Sequence, residues 1–170
     1  MIELNLVSET SPVLLQECKE FDFDNPPFDP KEFAQALHNK MIKSDGLGLS
    51  ANQVGQPYRV FVMRTGEKPY AVFNPKVVDV SDKELSMKEG CLSFPLLYLS
   101  VKRPDFVRIR FQDESGETRT EKFIGMTARI AQHEFDHMLG KVYTQKASQY
   151  ETQRAMRKRM ILKRKVKIAK

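Results

Sequence analysis

The stretch Gln132-His133-Glu134-Phe135-Asp136-His137 constrains this chain most, because residues four apart share one face of an α-helix, one turn apart. Two imidazoles placed in that way can grip a single metal ion. At ~100° per residue Glu134 points away from His133, so it flanks the open side of such an ion, where a general base belongs. The flanks predict the helix itself: Thr127 caps it, Ile130, Ala131, Phe135, Met138 and Leu139 give it an apolar body, and Gly140 ends it. The competing reading is a core helix whose two histidines merely find hydrogen-bond partners.

A catalytic metal site of this kind takes three protein ligands and leaves a position for water. In the extended zinc-protease pattern His-Glu-x-x-His-x-x-Gly-x-x-His, the chain matches through Gly140 but carries Tyr143 where the last histidine falls, so that reading fails. A thermolysin-like site needs a downstream carboxylate. After His137 the chain offers only Glu151, in an otherwise basic segment. Upstream stand His38, Cys18 and Cys91. Cys91 follows Gly90 and shortly precedes Pro95, in a bent strand where backbone amides can approach a site. Cys18 has no such setting, and His38, beside Leu37, reads as structural or exposed. Either cysteine alone is more often a small buried hydrophobe than a ligand. Next to two helical histidines, Cys91 becomes the preferred third ligand.

Three stretches, Gly46-Leu47-Gly48-Leu49-Ser50-Ala51-Asn52-Gln53, Glu89-Gly90-Cys91-Leu92-Ser93 and His133-Glu134-Phe135-Asp136-His137, together resemble the three motifs of the peptide deformylases, in the family's order and at its approximate spacing. The resemblance runs from the helix before Gly46 to about Tyr143, and the two ends match loosely. Ser50 replaces the alanine usual in the first motif. Phe94 and Leu96-Leu97-Tyr98-Leu99 differ from many bacterial members, which bears on the rim and on substrate preference. The resemblance implies a hydrolase that removes the formyl group from the N-terminal formylmethionine of newly synthesised polypeptides. One divalent ion per chain would be held by Cys91, His133 and His137: Fe(II) natively, with zinc, nickel or cobalt as occupants of the isolated protein. Metal-bound water would attack the formyl carbon, with Glu134 as general acid and base. The Gln53 side-chain amide and the Leu92 backbone N–H would donate to the oxygen on which charge grows. Leu47, Gly48, Glu89 and Ile130 sit where the family lines its substrate groove and methionine pocket. Arg103 and Asp136 either orient the ligands from behind or form a plain salt bridge.

Two rival readings use the same helix. A zinc peptidase or other amidase would cleave unformylated peptides, whereas a deformylase releases formate only from formylated ones. A non-catalytic RNA-binding module with a structural metal would need a fourth protein ligand, and none is evident.

At 170 residues and 41% hydrophobic, the chain fits one catalytic domain over residues 1–150, followed by a basic helical tail over residues 151–170. That tail holds nine Lys or Arg and one acid, +8, which leaves −2 of the net +6 for residues 1–150. The asymmetry points to a local anionic partner, and the resemblance implies contact with the ribosome through the tail. Met156, Met160 and Leu162 are expected to dock part of the tail, with the run from Lys163 to Lys170 solvated. The two cysteines show no disulfide pattern and no window approaches the ~20 apolar residues of a membrane span, so the expected location is cytoplasmic, with no membrane partner.

Asp29-Pro30-Lys31-Glu32 predicts a capped helix whose buried stripe is Phe33, Leu37 and Met41 and whose terminator is Gly46. Strands are predicted at residues 59–63, 70–73 and 77–80, separated by Gly66 and by Asn74-Pro75, and a hairpin at residues 106–111 and 118–123. The glycine-rich stretch before Gln53 lacks a Gly-Lys-Ser/Thr ending, so it is read as close backbone approach to a peptide and not as a phosphate loop. The expected architecture is α+β: antiparallel β-sheets packed around a central metal-binding helix, with an N-terminal helix and a C-terminal basic helix.

Overall fold

The computed structural model describes residues 2–66 and 68–168. The apolar run Val60-Phe61-Val62-Met63 is fully buried, which requires cover on both faces of its strand. Strand β2 (Val60–Thr65) lies inside a five-stranded antiparallel sheet of order β1-β2-β3-β6-β7, with β1 (Gly48–Ser50), β3 (Lys68–Val80), β6 (Phe106–Gln112) and β7 (Thr118–Ile124). One face packs on helix α1 (Pro30–Lys43), where Val60 and Val62 meet Phe33, Leu37 and Met41. The other packs on helix α2 (Gly125–Met138), where Phe61 and Met63 meet Ala128, Ala131 and Met138. The α+β class with antiparallel strands is as expected. In β6, Val107, Ile109 and Phe111 point into that core while Arg108 and Arg110 face outward.

Helix α1 starts as its sequence predicts, with the Asp29 carboxylate accepting the Glu32 N–H at 2.7 Å. Its end differs. Asp45, at φ 55, takes the left-handed position expected of Gly46. Gly46 is needed for space instead, since a Cβ there would lie 2.6 Å from Leu92 Cδ1. Helix α2 also starts earlier than expected. β7 runs straight into it through Gly125 at φ 60, so Thr127 lies inside the first turn and caps nothing. Asn74-Pro75 does not separate two strands: β3 runs through it with a register shift, and Asn74, at φ 49, uses its side chain to bond both the N–H and the carbonyl of Phe21.

A second sheet is the hairpin of β4 (Glu84–Cys91) and β5 (Phe94–Pro104), of which the sequence reading recognised only the bent strand around Cys91. Helix α3 (Gln149–Ile168) docks on β5. Of the three side chains expected to dock it, only Leu162 is half-buried. Met156 and Met160 are exposed, while Ala155 packs on the cluster of Leu97, Leu99, Val101 and Tyr143, Glu151 accepts the Ser100 N–H, and Arg159 is buried. Among the described residues no helix is long and apolar enough to cross a membrane.

Candidate metal centre and active site

The last residue of β4 meets the middle of α2. Among the described residues, Cys91, His133 and His137 form a group whose ligand atoms lie within 4.8 Å of one another. Cys91 Sγ and His137 Nε2 are 3.5 Å apart. Metal–sulfur and metal–nitrogen bonds of ~2.3 and ~2.0–2.1 Å at a tetrahedral angle would put such a pair about 3.6 Å apart. The donor set therefore fits a divalent ion of the zinc and iron type. Burial, with the Arg103 charge nearby, holds the His137 pKa well below its ordinary value, so its ring is the neutral form that ligates.

Beneath His133 lies a buried network of charges. Glu89 Oε2 is 3.1 Å from His133 Nδ1, which leaves the far ring nitrogen for the site. The Arg103 guanidinium donates to both Glu89 oxygens, at 2.5 and 2.9 Å, and to Asp136 at 2.7 Å. Arg129 donates to Glu89 at 2.7 Å and to the carbonyls of Val101 and Leu85. Burial opposes ionisation of Glu89, but hydrogen bonds from His133 and Arg103 outweigh it and hold its pKa near 2. The sequence reading placed Glu89 on the substrate groove. Its carboxylate is turned under His133 here, although the residue still borders the cavity. Arg103 and Asp136, left open between orienting and merely pairing, form an ion pair that also holds Glu89.

Glu134 is buried against Gly48, where a Cβ would sit 2.5 Å from Glu134 Oε1, so only glycine leaves room for the carboxylate. Its Oε2 has no hydrogen-bond partner among the described residues. Burial pushes its pKa up to about 7, against the pull of the nearby Arg103 charge. A carboxylate at that value can both take and return a proton near neutrality. Gln53 is fixed at both ends: Oε1 accepts from the Ser50 N–H at 3.0 Å and the Ser50 hydroxyl at 2.9 Å, and Nε2 donates to Ser93 Oγ at 3.0 Å and Cys91 Sγ at 3.4 Å. The serine that departs from the family pattern thus orients the amide.

A cavity of about 520 Å³ opens over these groups. Leu47, Gly48, Leu92 and Ile130 border it, and Tyr98 and Met126 stand exposed at its rim. The rejected ligands lie elsewhere. Cys18 is in the core beside the His137 carbonyl, its thiol pushed up to about 11 by burial, and Glu151 is tied to the Ser100 N–H.

Sequence reasoning missed Arg129, Ser93, Asn52 and Tyr143. Arg129 precedes His133 by one helical turn, a spacing that could have revealed it. Asn52 donates to the His137 carbonyl at 3.0 Å. Tyr143, which occupies the place of the protease pattern's last histidine, stacks 5.6 Å from the His133 ring and donates its hydroxyl to the Leu97 carbonyl at 2.7 Å.

A family profile described as polypeptide deformylase matches residues 4–153. The chain belongs to that family. A peptide deformylase of Thermotoga neapolitana is 41% identical over 110 residues, covering 65% of this chain and 67% of its own. The chloroplastic/mitochondrial peptide deformylase 1B of Arabidopsis thaliana is 37% identical over 146 residues, covering 82% of this chain and 52% of its own. Among solved structures, the peptide deformylase of Synechococcus elongatus in complex with actinonin superposes with a TM-score of 0.86 at 30% identity, covering 92% of this chain and 85% of that one. That of Thermotoga maritima gives 0.83 at 32% identity, covering 87% and 99%. Sequence and fold agree, and the chain is an enzyme of the peptide deformylase family whose activity is deformylation of newly made polypeptides.

Proposed function

We propose that this deformylase hydrolyses the formyl group of N-terminal formylmethionine with one divalent ion held by Cys91, His133 and His137. The observation that carries the reading is the convergence of those three ligand atoms within 4.8 Å, beside the buried carboxylate of Glu134. When bound, the ion supplies Lewis-acid polarisation and acidifies water. Glu134 takes the proton of the attacking water and hands it to the departing amine. The Gln53 amide and the Leu92 N–H hold the oxygen on which negative charge grows, a kind of contact whose loss typically costs ~3 kcal/mol at the transition state. Glu89, held by Arg103 and Arg129, fixes the tautomer and tilt of His133, and the Arg103–Asp136 pair keeps that acid in place.

The substrate groove is lined by Leu47, Gly48, Glu89 and Ile130. β1 is the edge strand of its sheet, so a nascent chain can add alongside Gly48 through main-chain hydrogen bonds, which tolerates varied sequence after the first residue. Thiolate with two imidazoles suits iron, zinc, cobalt and nickel. Fe(II) is the native ion on this reading. The catalytic domain spans residues 1–150 and the basic helical tail residues 151–170; the tail meets ribosomal RNA phosphates, and the enzyme works in the cytoplasm.

The test is anaerobic formate release from a formyl-Met peptide, with metal content measured in parallel. Wild type should be active, Cys91→Ala should lose metal and activity, and Glu134→Ala should lose activity while keeping metal. Equal activity in all three would refute the mechanism. Ribosome binding should weaken steeply between low and high salt, and a salt-independent association would remove the phosphate contact.

A further inference from the structure

The wall of the cavity opposite α2 is irregular. Between Glu89 and Cys91, β4 advances two residues, while their partners on β5, Leu99 and Phe94, are five apart. The surplus at residues 95–98 bulges into the cavity lining, with Leu96 at φ 64, a left-handed conformation that leucine rarely adopts. A strained residue persists only where its surroundings over-determine it. Both carbonyls flanking Leu96 are tied from outside the hairpin. Tyr143 holds that of Leu97, and Arg159 of α3 holds that of Pro95 by an Nε–H donation at 2.9 Å. The other nitrogens of Arg159 bond Glu9 near the opposite end of the chain. Arg159 is only 5% exposed, on a helix whose other basic side chains face solvent. Plain docking of α3 would not need a buried guanidinium that ties the Pro95 carbonyl to the Glu9 carboxylate.

We infer that Arg159 is a positioning residue for the peptide: through Pro95 it fixes the bulged wall over residues 95–98, and with it Tyr98 at the rim. The inference rests on reading the cavity as the deformylase substrate site. The basic helix thereby has a role in substrate affinity that is separate from its charge. Tyr98 itself lies against Gly90, where a Cβ would come within 2.9 Å of the ring, so a shift of the bulge moves the rim directly.

The test uses the full-length, metal-loaded enzyme, hydrolysis of formyl-Met-Ala-Ser, and calorimetric binding of its product Met-Ala-Ser. Arg159→Ala should raise KM about tenfold and weaken product binding by a similar factor, with kcat within about twofold of wild type. Glu9→Gln, which frees the guanidinium but keeps the Pro95 contact, should raise KM by about two- to threefold. Arg157→Ala, an exposed charge on the same helix, should change neither constant. Unchanged KM and product affinity in Arg159→Ala would overturn the inference, as would a fall in kcat that tracks lost helix content at unchanged KM. If Arg159→Ala does not fold, an unaltered KM in Glu9→Gln decides against it. Wild type that releases no formate would overturn the deformylase reading as well; active wild type matched by Arg159→Ala overturns this inference alone.

Discussion

Helix α2, packed on the five-stranded sheet through apolar side chains, and β1, the edge strand of that sheet, form the floor of the site, whereas the β4–β5 hairpin, its wall, is held by buried arginines. Ala128, Ala131 and Met138 seat the floor on Phe61 and Met63. Arg103, Arg129 and Arg159 seat the wall on carboxylates and carbonyl oxygens. Apolar contact secures a surface but names no partner. A guanidinium fork names its partner and sets its angle, at the cost of burying a charge that fails badly when left alone. The floor therefore carries the reacting groups with little adjustment, and the wall carries their aim.

The largest expected effect tests the floor. Glu134→Gln should lower kcat about 10³-fold while metal stoichiometry and unfolding stay near wild type, read by formate release, metal analysis and urea titration. A loss under tenfold would place the proton transfer elsewhere. The wall is tested next by Arg129→Ala, which takes one donor from Glu89 and the partner from the carbonyls of Val101 and Leu85, and should cost about 3 kcal/mol in urea unfolding. A cost below ~1 kcal/mol would mean that the hairpin stands without its arginines.

Acid sharpens the comparison further. The Glu89 pKa is lowered to about 2 in the folded protein, so its contribution is complete above the unfolded carboxylate value and is lost as pH falls towards 2. This group alone should remove roughly 3 kcal/mol between pH ~5 and ~2. Glu89→Gln should flatten that slope, and parallel slopes for the two proteins would contradict the assignment. The smallest effect belongs to Tyr143→Phe. It removes one hydroxyl donation to the Leu97 carbonyl and should cost about 1 kcal/mol with kcat unchanged.

The floor was also the legible half. Behind it, period-four apolar residues mark α1 and strict alternation marks β6, and the spacing of His133 and His137 locates the centre, to which the wall adds Cys91. Those signals are local, and local periodicity is what a sequence displays. The wall hides because its ties are distant in sequence and chemically unusual. Arg129 and Arg159 look like solvated helix charges until the carbonyls of Leu85, Val101 and Pro95 are brought to them. α3 docks through Glu151, Ala155 and Arg159, a four-residue repeat with a single apolar member, so the methionines drew the reading to the exposed face. Asn74 misled for a related reason. An Asn-Pro pair normally breaks a strand, but here the strand continues through a bulge and the Asn74 amide ties that bulge to the backbone of Phe21.

Residues 9 and 159, joined by an ion pair, stand 150 positions apart, and the Cys18 N–H is likewise satisfied only by the carbonyl of Met138. During synthesis the Glu9 carboxylate therefore travels without its arginine partner until residue 159 has been made. A catalyst that trims other newborn chains thus closes this latch late in its own birth, and a product stalled before residue 159 would carry the metal ligands while lacking it.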